Sequence, residues 1–469
     1  MRFLVERDAL ADALAWVARA LPSRPVVPVL SGLRLEAGDG LTLSCFDYEV
    51  SATAHLDAEV KEPGTVLVPG RLLAEITRSL PAPTADFAAD GDVVNLTCGS
   101  AEFTFVQLPS DEYPALPQAP PLAGTIDGGD LAAAIGQVLP AASRDDTLPM
   151  LTGICLDIDG ETMTLAATDR YRLAVRETGW HPVSPGLRAV ALVPARTLAD
   201  AARTMAPGSA VSVAFETGPG ARGAGRQEPG GQAGQGGGGA DREPRPAEGM
   251  ISFGMGGRRL TARLIGGEFI RYRSRFPSEF GCRADVPAGP FTEAVKRVSL
   301  VADRASPVRL EFGSGKVIVE AQTEGRARAV ETVAAEFHGD QPVISFNPHY
   351  LLDGLAAAAA SGHSRPVPEA GDGPESDGGT GADGTGADGT GASGTGAGGT
   401  RASGAGPSGP GLVRLEFTSA AKPALITWAQ DGTAQDGTAQ GSEGGDESRF
   451  AGVPQFRYLV VPLRAAVRS

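Results

Sequence analysis

A chain of 469 residues, 42% of them apolar, is long enough for about three domains with cores of their own. Its formal net charge of −15 excludes a protein coated in basic surface for gripping nucleic acid. No uninterrupted apolar stretch reaches membrane-spanning length and the N-terminus carries no secretory pattern, so a cytoplasmic protein without membrane segments is expected.

The first predicted element is a helix over Asp8–Ala20, where Leu10, Leu14, Val17 and Leu21 form one apolar stripe. Strands follow from Val29 to Ala54; Leu33-Arg34-Leu35 and Leu41-Thr42-Leu43 alternate as half-buried β. A second helix starts near Val68 (VPGRLLAEITRSLP), with strands after it at Val93–Cys98 and Glu102–Gln107. The same order then recurs. A helix over Asp130–Ala142 precedes strands from Met150 to Val175, and another helix starts near Val193 (VPARTLADAARTMAP). In the third copy a helix over Phe291–Asp303 precedes strands from Ser306 to Val330, and a last helix starts near Phe346 (FNPHYLLDGLAAAA). A repeated order means repeated structural units. Each unit is itself double, βαβββ followed by βαβββ. The predicted fold class is α+β, with three domains over 1–123, 124–283 and 284–469 and amphipathic helices on one face of antiparallel sheets. Six equal half-units point to a curved, ring-like object with its helices on the inner side.

Three tracts break the pattern: a Gly-rich one at 217–249, one at 363–411 with repeats such as GADGTGADGTGASGTG, and one at 430–449 that repeats QDGTA. Such compositions bury too little apolar surface to offset the entropy of ordering, and they are read as disordered loop expansions. No catalytic constellation emerges elsewhere. Gly313-Ser314-Gly315-Lys316 lacks phosphate-loop spacing and is read as a hairpin turn. Neither the histidines nor the four cysteines (Cys45, Cys98, Cys155, Cys282) show metal-ligand or redox spacing, so buried free thiols are expected. A non-enzymatic protein with no cofactor and no metal follows.

Five segments carry a resemblance: MRFLVERDAL at the start, SRPVVPVLSGLRLE at Ser23–Glu36, ATDRYRLAV at Ala167–Val175, FNPHYLLDGL at Phe346–Leu355 and YLVVPLR at Tyr458–Arg464. In order and spacing they resemble the bacterial DNA sliding clamp, the beta subunit of DNA polymerase III. The resemblance covers nearly the whole chain outside the three tracts. It implies three clamp domains closing head to tail as a ring-shaped homodimer around duplex DNA, without sequence specificity. It also implies partners: the DNA polymerase III catalytic subunit, a clamp loader, and other polymerases and repair proteins. The alternative is a clamp paralogue with reduced partner or loader binding, acting as a regulator.

The resemblance further implies site residues. A partner-peptide pocket between the second and third domains would use Leu151, Thr168, Arg170, Tyr171, Arg172 and Leu173, with Pro423, Leu459, Val461, Pro462, Leu463 and Arg464. The arginines would sit at the rim of an apolar cleft. Ile270 and Ser274 depart from the family, which often has proline at the first position and a long polar residue at the second. Ile270 is expected to narrow the cleft. Arg24, Arg71, Arg78, Arg144, Arg196, Arg203, Lys296 and Arg297 would face DNA. Phe103 and Leu300 would lie at the dimer interface.

Overall fold

The structure, a computed structural model, describes residues 1–216, 249–302, 306–323, 326–340, 342–362, 411–429 and 455–463. The three low-complexity tracts, apart from Gly249 and Gly411, lie outside these residues, as do Asp303 and the pocket candidate Arg464. Among the described residues, twenty-seven strands and six α-helices fall into three units of like order. The first holds β1 (Arg2–Glu6), α1 (Arg7–Val17), β2 (Gly32–Ala37), β3 (Leu41–Phe46), β4 (Val50–Leu56), β5 (Ala58–Glu62), β6 (Gly64–Pro69), α2 (Gly70–Thr77), β7 (Thr84–Asp90), β8 (Val93–Cys98) and β9 (Ala101–Val106). The second holds β10 (Leu122–Asp127), α3 (Gly128–Val138), β11 (Gly153–Asp159), β12 (Thr162–Thr168), β13 (Arg172–Gly179), β14 (His181–Pro182), β15 (Arg188–Pro194), α4 (Ala195–Ala202), β16 (Ala210–Phe215), β17 (Met250–Met255) and β18 (Arg258–Arg263). The third holds β19 (Cys282–Pro287), α5 (Ala288–Ser299), β20 (Val308–Gly313), β21 (Lys316–Thr323), β22 (Ala327–Ala334), β23 (Glu336–His338), β24 (Val343–Phe346), α6 (Pro348–Ser361), β25 (Leu412–Phe417), β26 (Ala424–Ala429) and β27 (Phe456–Val460).

This is the doubled βαβββ order with one refinement. The third strand of each first half is broken in two. Its front piece stays in the hairpin, as β4, β13 or β22. Its back piece crosses over to pair with the unit's first strand: β5 with β1, β14 with β10, and β23 with β19. The break thus carries the chain between the two sheets of each unit.

The helix starts follow from local chemistry. The Glu6 carboxylate accepts from the backbone N–H groups of Asp8 and Ala9, and the Asp127 carboxylate from those of Gly129 and Asp130, so α1 and α3 begin on side-chain caps. Asn347 caps α6 in the same way, with Pro348 in its first turn. Helix α5 begins at Ala288, three residues before the predicted Phe291. Pro290 falls in its first turn, where a missing N–H costs nothing. The helices pack as α1 with α2, α3 with α4, and α5 with α6, and α3 also meets α6 across a unit boundary. One apolar core runs beneath them through all three units, from Phe3 to Val460.

The sheets ignore the unit boundaries. The two nine-stranded sheets run β14-β10-β16-β17-β18-β4-β3-β2-β6 and β15-β11-β12-β13-β27-β26-β25-β19-β23. Each is joined across a seam: β18 of the second unit pairs antiparallel with β4 of the first, and β27 of the third with β13 of the second. At both seams the last strand of one unit joins the broken strand of the unit before it. The remaining last and broken strands, β9 and β22, pair on one side only, with β8 and β21, each at the edge of a smaller sheet. The GSGK segment is the β20–β21 hairpin, with Gly313 paired to Lys316 and Gly315 at φ +74°. All four cysteines are buried free thiols, as expected.

Candidate functional site: an apolar cleft and a helix layer

The seam strands alternate sides. In β13, Ala174 joins the main core under the helices, while Leu173 and Val175 face outward. Outward, Leu173 stands directly opposite Leu459 of β27. These two and Cys155, Ala166, Leu192 and Leu425 form a second apolar cluster on the far side of the sheet. It is covered by the segment that links β18 to β19, which lays Ile265, Phe269, Ile270, Tyr272, Phe276 and Phe280 over it. At the other seam the equivalent outward pair is Ser51 opposite Thr261, beside Ser252, whose hydroxyl accepts from that of Thr261 at 3.1 Å. Of the two seams described, that between the second and third units therefore carries the apolar outward pair.

The turn before β13 forms one wall. Asp169 accepts from the backbone N–H groups of Tyr171 and Arg172 at 3.0 Å each, and the Thr168 hydroxyl donates to the Arg172 carbonyl at 2.6 Å. This tight turn holds Arg170 at φ +79°, a left-handed conformation rare for a side chain with a Cβ. The chain end forms the facing wall: the N–H of Val461 donates to the Tyr171 carbonyl at 2.8 Å and that of Leu463 to the Ser345 carbonyl at 2.7 Å. Val461 and Leu463 remain 37% and 39% exposed, and nearby Met150 43%, so apolar side chains crowd the mouth while Leu173 and Leu459 are buried beneath it. Leu151 and Pro462 are buried; Pro423 is half-buried just ahead of β26. Ile270 is partly buried against the cluster, as expected of a residue in the wall. Ser274 is exposed, its hydroxyl bonded to the Arg271 carbonyl.

Arg172 corrects the sequence expectation. It does not stand at the rim. Strand alternation turns it toward the helix layer, where its guanidinium bonds Asp169 (2.9 Å), Asp353 on α6 and the Tyr458 hydroxyl (3.3 Å), and lies 4.4 Å over the Tyr350 ring. It fastens the second unit to the third. Arg170, in the turn before β13, is exposed instead, as are Arg271, Arg273 and Arg275 on the covering segment. Sequence reading missed Tyr350, stacked 6.1 Å from Tyr171, and the aromatic row of the covering segment. Four aromatic residues in a loop between predicted strands were the available signal.

The six α-helices hold five basic and seven acidic residues, and Arg19, Arg78 and Arg203 follow closely on α1, α2 and α4, so charge in the helix layer is nearly balanced. Its cations differ in availability. Lys296 pairs with Glu293 at 2.8 Å, Arg297 with Glu331 at 2.5 Å and Arg203 more loosely with Asp200 at 3.8 Å. Arg71 donates to the Leu21 carbonyl. Arg24, Arg78, Arg144 and Arg196 are exposed and make no ion pair with a described residue. Arg19, not among the sequence candidates, lines a cleft of about 280 Å³ together with Arg196 where α1 meets α4. Phe103 lies on the open strand β9. Leu300 caps α5 and is 84% exposed.

Comparison with known proteins agrees with this architecture. The family descriptions of the DNA polymerase III beta subunit match in order: the N-terminal domain over residues 1–117, the central domain over 125–270 and the C-terminal domain over 273–362. The chain is 49% identical over 358 residues to a beta sliding clamp of Streptomyces coelicolor, covering 76% of this chain and 88% of that one. It is 41% identical over 334 residues to a beta sliding clamp of Micrococcus luteus, covering 71% and 98%. The crystal structure of the Bacillus subtilis DNA polymerase sliding clamp superposes with a TM-score of 0.73 at 20% identity, over 99% of this chain and 100% of that one. Three repeated units with sheets continuous across their seams and a second layer of helices define a DNA sliding clamp. The chain belongs to the DNA polymerase III beta-subunit family, whose members are non-catalytic processivity factors. The regulatory paralogue is not favoured by identities of 49% and 41% to sliding clamps. Among the described residues no helix is long and apolar enough to cross a membrane.

Proposed function

We propose that two copies of this chain close head to tail around duplex DNA and tether the DNA polymerase III catalytic subunit through the cleft between the second and third units. A clamp loader and other polymerases and repair proteins would use the same cleft in turn. The observation that carries the ring is the pair of open strands. Every other last strand in the chain joins a broken strand, and β9 and β22 are the remaining last and broken strands. Closing β9 of one copy on β22 of the other, twice, satisfies both edges and makes a closed two-fold assembly. The near-balance of charge in the helix layer suits this reading, because a ring stays on DNA by topology and not by grip.

The observation that carries the cleft is the Leu173–Leu459 pair. A short peptide with a Gln and two Leu or Phe residues would place its apolar anchors there, against Val461, Pro462 and Leu463. The test is primer extension on a primed circular template with polymerase, loader and this protein. Long products that require all three support the proposal. Product lengths unchanged by adding the protein would remove it.

A further inference from the structure

The segment that covers the cleft cluster, residues 264–281, enters on backbone bonds from Leu264 to Gly249 and from Ile265 to Leu192, and its middle is fastened to the second unit at a side-chain carboxylate. Asp157 lies on β11, two residues from Cys155 and on the same outward face. Its Oδ2 accepts from the Tyr272 hydroxyl at 2.6 Å and from the Arg273 guanidinium at 3.1 Å. Tyr272 is only 5% exposed and belongs to the same apolar cluster as Leu173 and Leu459, with Ile270 packed beside it. The other end of the segment is held separately: Arg457 of β27 pairs with Glu177 of β13 at 2.6 Å and lies 4.7 Å over the Phe276 ring.

A similar device occurs at the first seam. There Tyr113, in the segment after β9, accepts from the Phe46 N–H at 2.8 Å over a small cluster of Val29, Leu30 and Leu67. That tyrosine is bonded to backbone and covers no Leu–Leu floor. Only the second linker is bonded to a side-chain carboxylate, and only that one rests on the cleft.

We infer that Asp157 and Tyr272 are positioning residues of the partner cleft: their bond holds the 264–281 segment down and so fixes the wall on which Ile270 sits. This rests on the cleft reading above. The two bonds to Asp157 are not equal. Arg273 is about half exposed, and an exposed ion pair contributes little. The Tyr272 bond is short, at 2.6 Å, and lies under the covering segment with the tyrosine only 5% exposed, so solvent competes with it less than with the Arg273 pair.

The test compares Tyr272→Phe, Asp157→Ala, Asp157→Asn and Arg273→Ala with the parent. Each is titrated calorimetrically with one polymerase-derived peptide, and amide exchange over 264–281 is followed. Tyr272→Phe and Asp157→Ala should weaken the peptide about tenfold and speed exchange of the segment. Asp157→Asn keeps an acceptor for the tyrosine and should fall between those two and the parent, while Arg273→Ala should change affinity less than about twofold. Faster exchange in Tyr272→Phe with affinity unchanged would reduce the bond to a merely structural one and overturn the inference alone. No binding by the parent would instead overturn the cleft reading and this inference with it.

Discussion

Among single residues, the proposed partner cleft puts the weight on the outward face of the second seam. Truncating a well-packed anchor costs more than about 1 kcal/mol. Leu463→Ala should therefore weaken a polymerase-derived peptide about fivefold or more by calorimetry, while Ile270→Pro should leave binding unchanged or tighten it by clearing a branched side chain from the wall. On the helix layer, availability separates the cations. Each phosphate contact contributes about 0.9 to the slope of log affinity against log salt. Replacing Arg19 and Arg196 with Ala should flatten that slope on a short linear duplex by about 2, whereas Lys296→Ala with Arg297→Ala, each already paired with a glutamate, should leave it nearly unchanged. Equal effects of the two pairs would contradict this. Leu173 and Leu463 could be singled out from sequence because they sit in distinctive segments, and the structure places Leu173 in the outward apolar cluster. The direction of Arg172 was not: a motif gives a residue's neighbours in sequence, but the face it takes depends on strand alternation and on Asp353, which lies 181 residues away.

Secondary-structure elements were the most legible level, because apolar periodicity and Gly-containing turns are local. The helices and hairpins of all three units could be read in order. The broken third strands could not, since the break becomes visible only when its back piece pairs with a distant first strand. The seam pairings were equally hidden, being contacts between whole units. They now permit a register to be stated. Leu260 of β18 stands opposite Ala52 of β4, and Phe103 and Ala329 hold the corresponding places in β9 and β22. In a chain with its native cysteines buried, Phe103→Cys with Ala329→Cys should give an intermolecular disulfide, read as a covalent dimer on a denaturing gel. Directly opposed strand residues lie within disulfide range. Only monomer on the gel under oxidising conditions would contradict the register. The two larger inserts enter between β16 and β17, where Phe215 still pairs with Ile251, and between α6 and β25. Deleting 220–246 and 366–409 should leave the thermal midpoint nearly unchanged, because closing a long loop costs little more than closing a short one. A large drop would show that these residues pack.

For the whole molecule, the account rests on linkage in place of affinity. A helix layer of nearly balanced charge is a poor clamp by electrostatics alone, and binding to short linear duplex should be feeble and fade with salt. A closed ring needs no such grip. The most direct measurement is retention on DNA whose topology is changed after loading. The protein is loaded onto nicked circular DNA, freed of loader, and held in moderate salt; half of the sample is then cut once with a restriction enzyme. The protein should stay on the circle and leave the linear molecule by sliding off its ends, and the Phe103→Cys/Ala329→Cys protein, loaded reduced and oxidised only afterwards, should behave the same way. Equal retention on cut and uncut DNA would mean that the protein binds the duplex directly, and the ring would have to be given up.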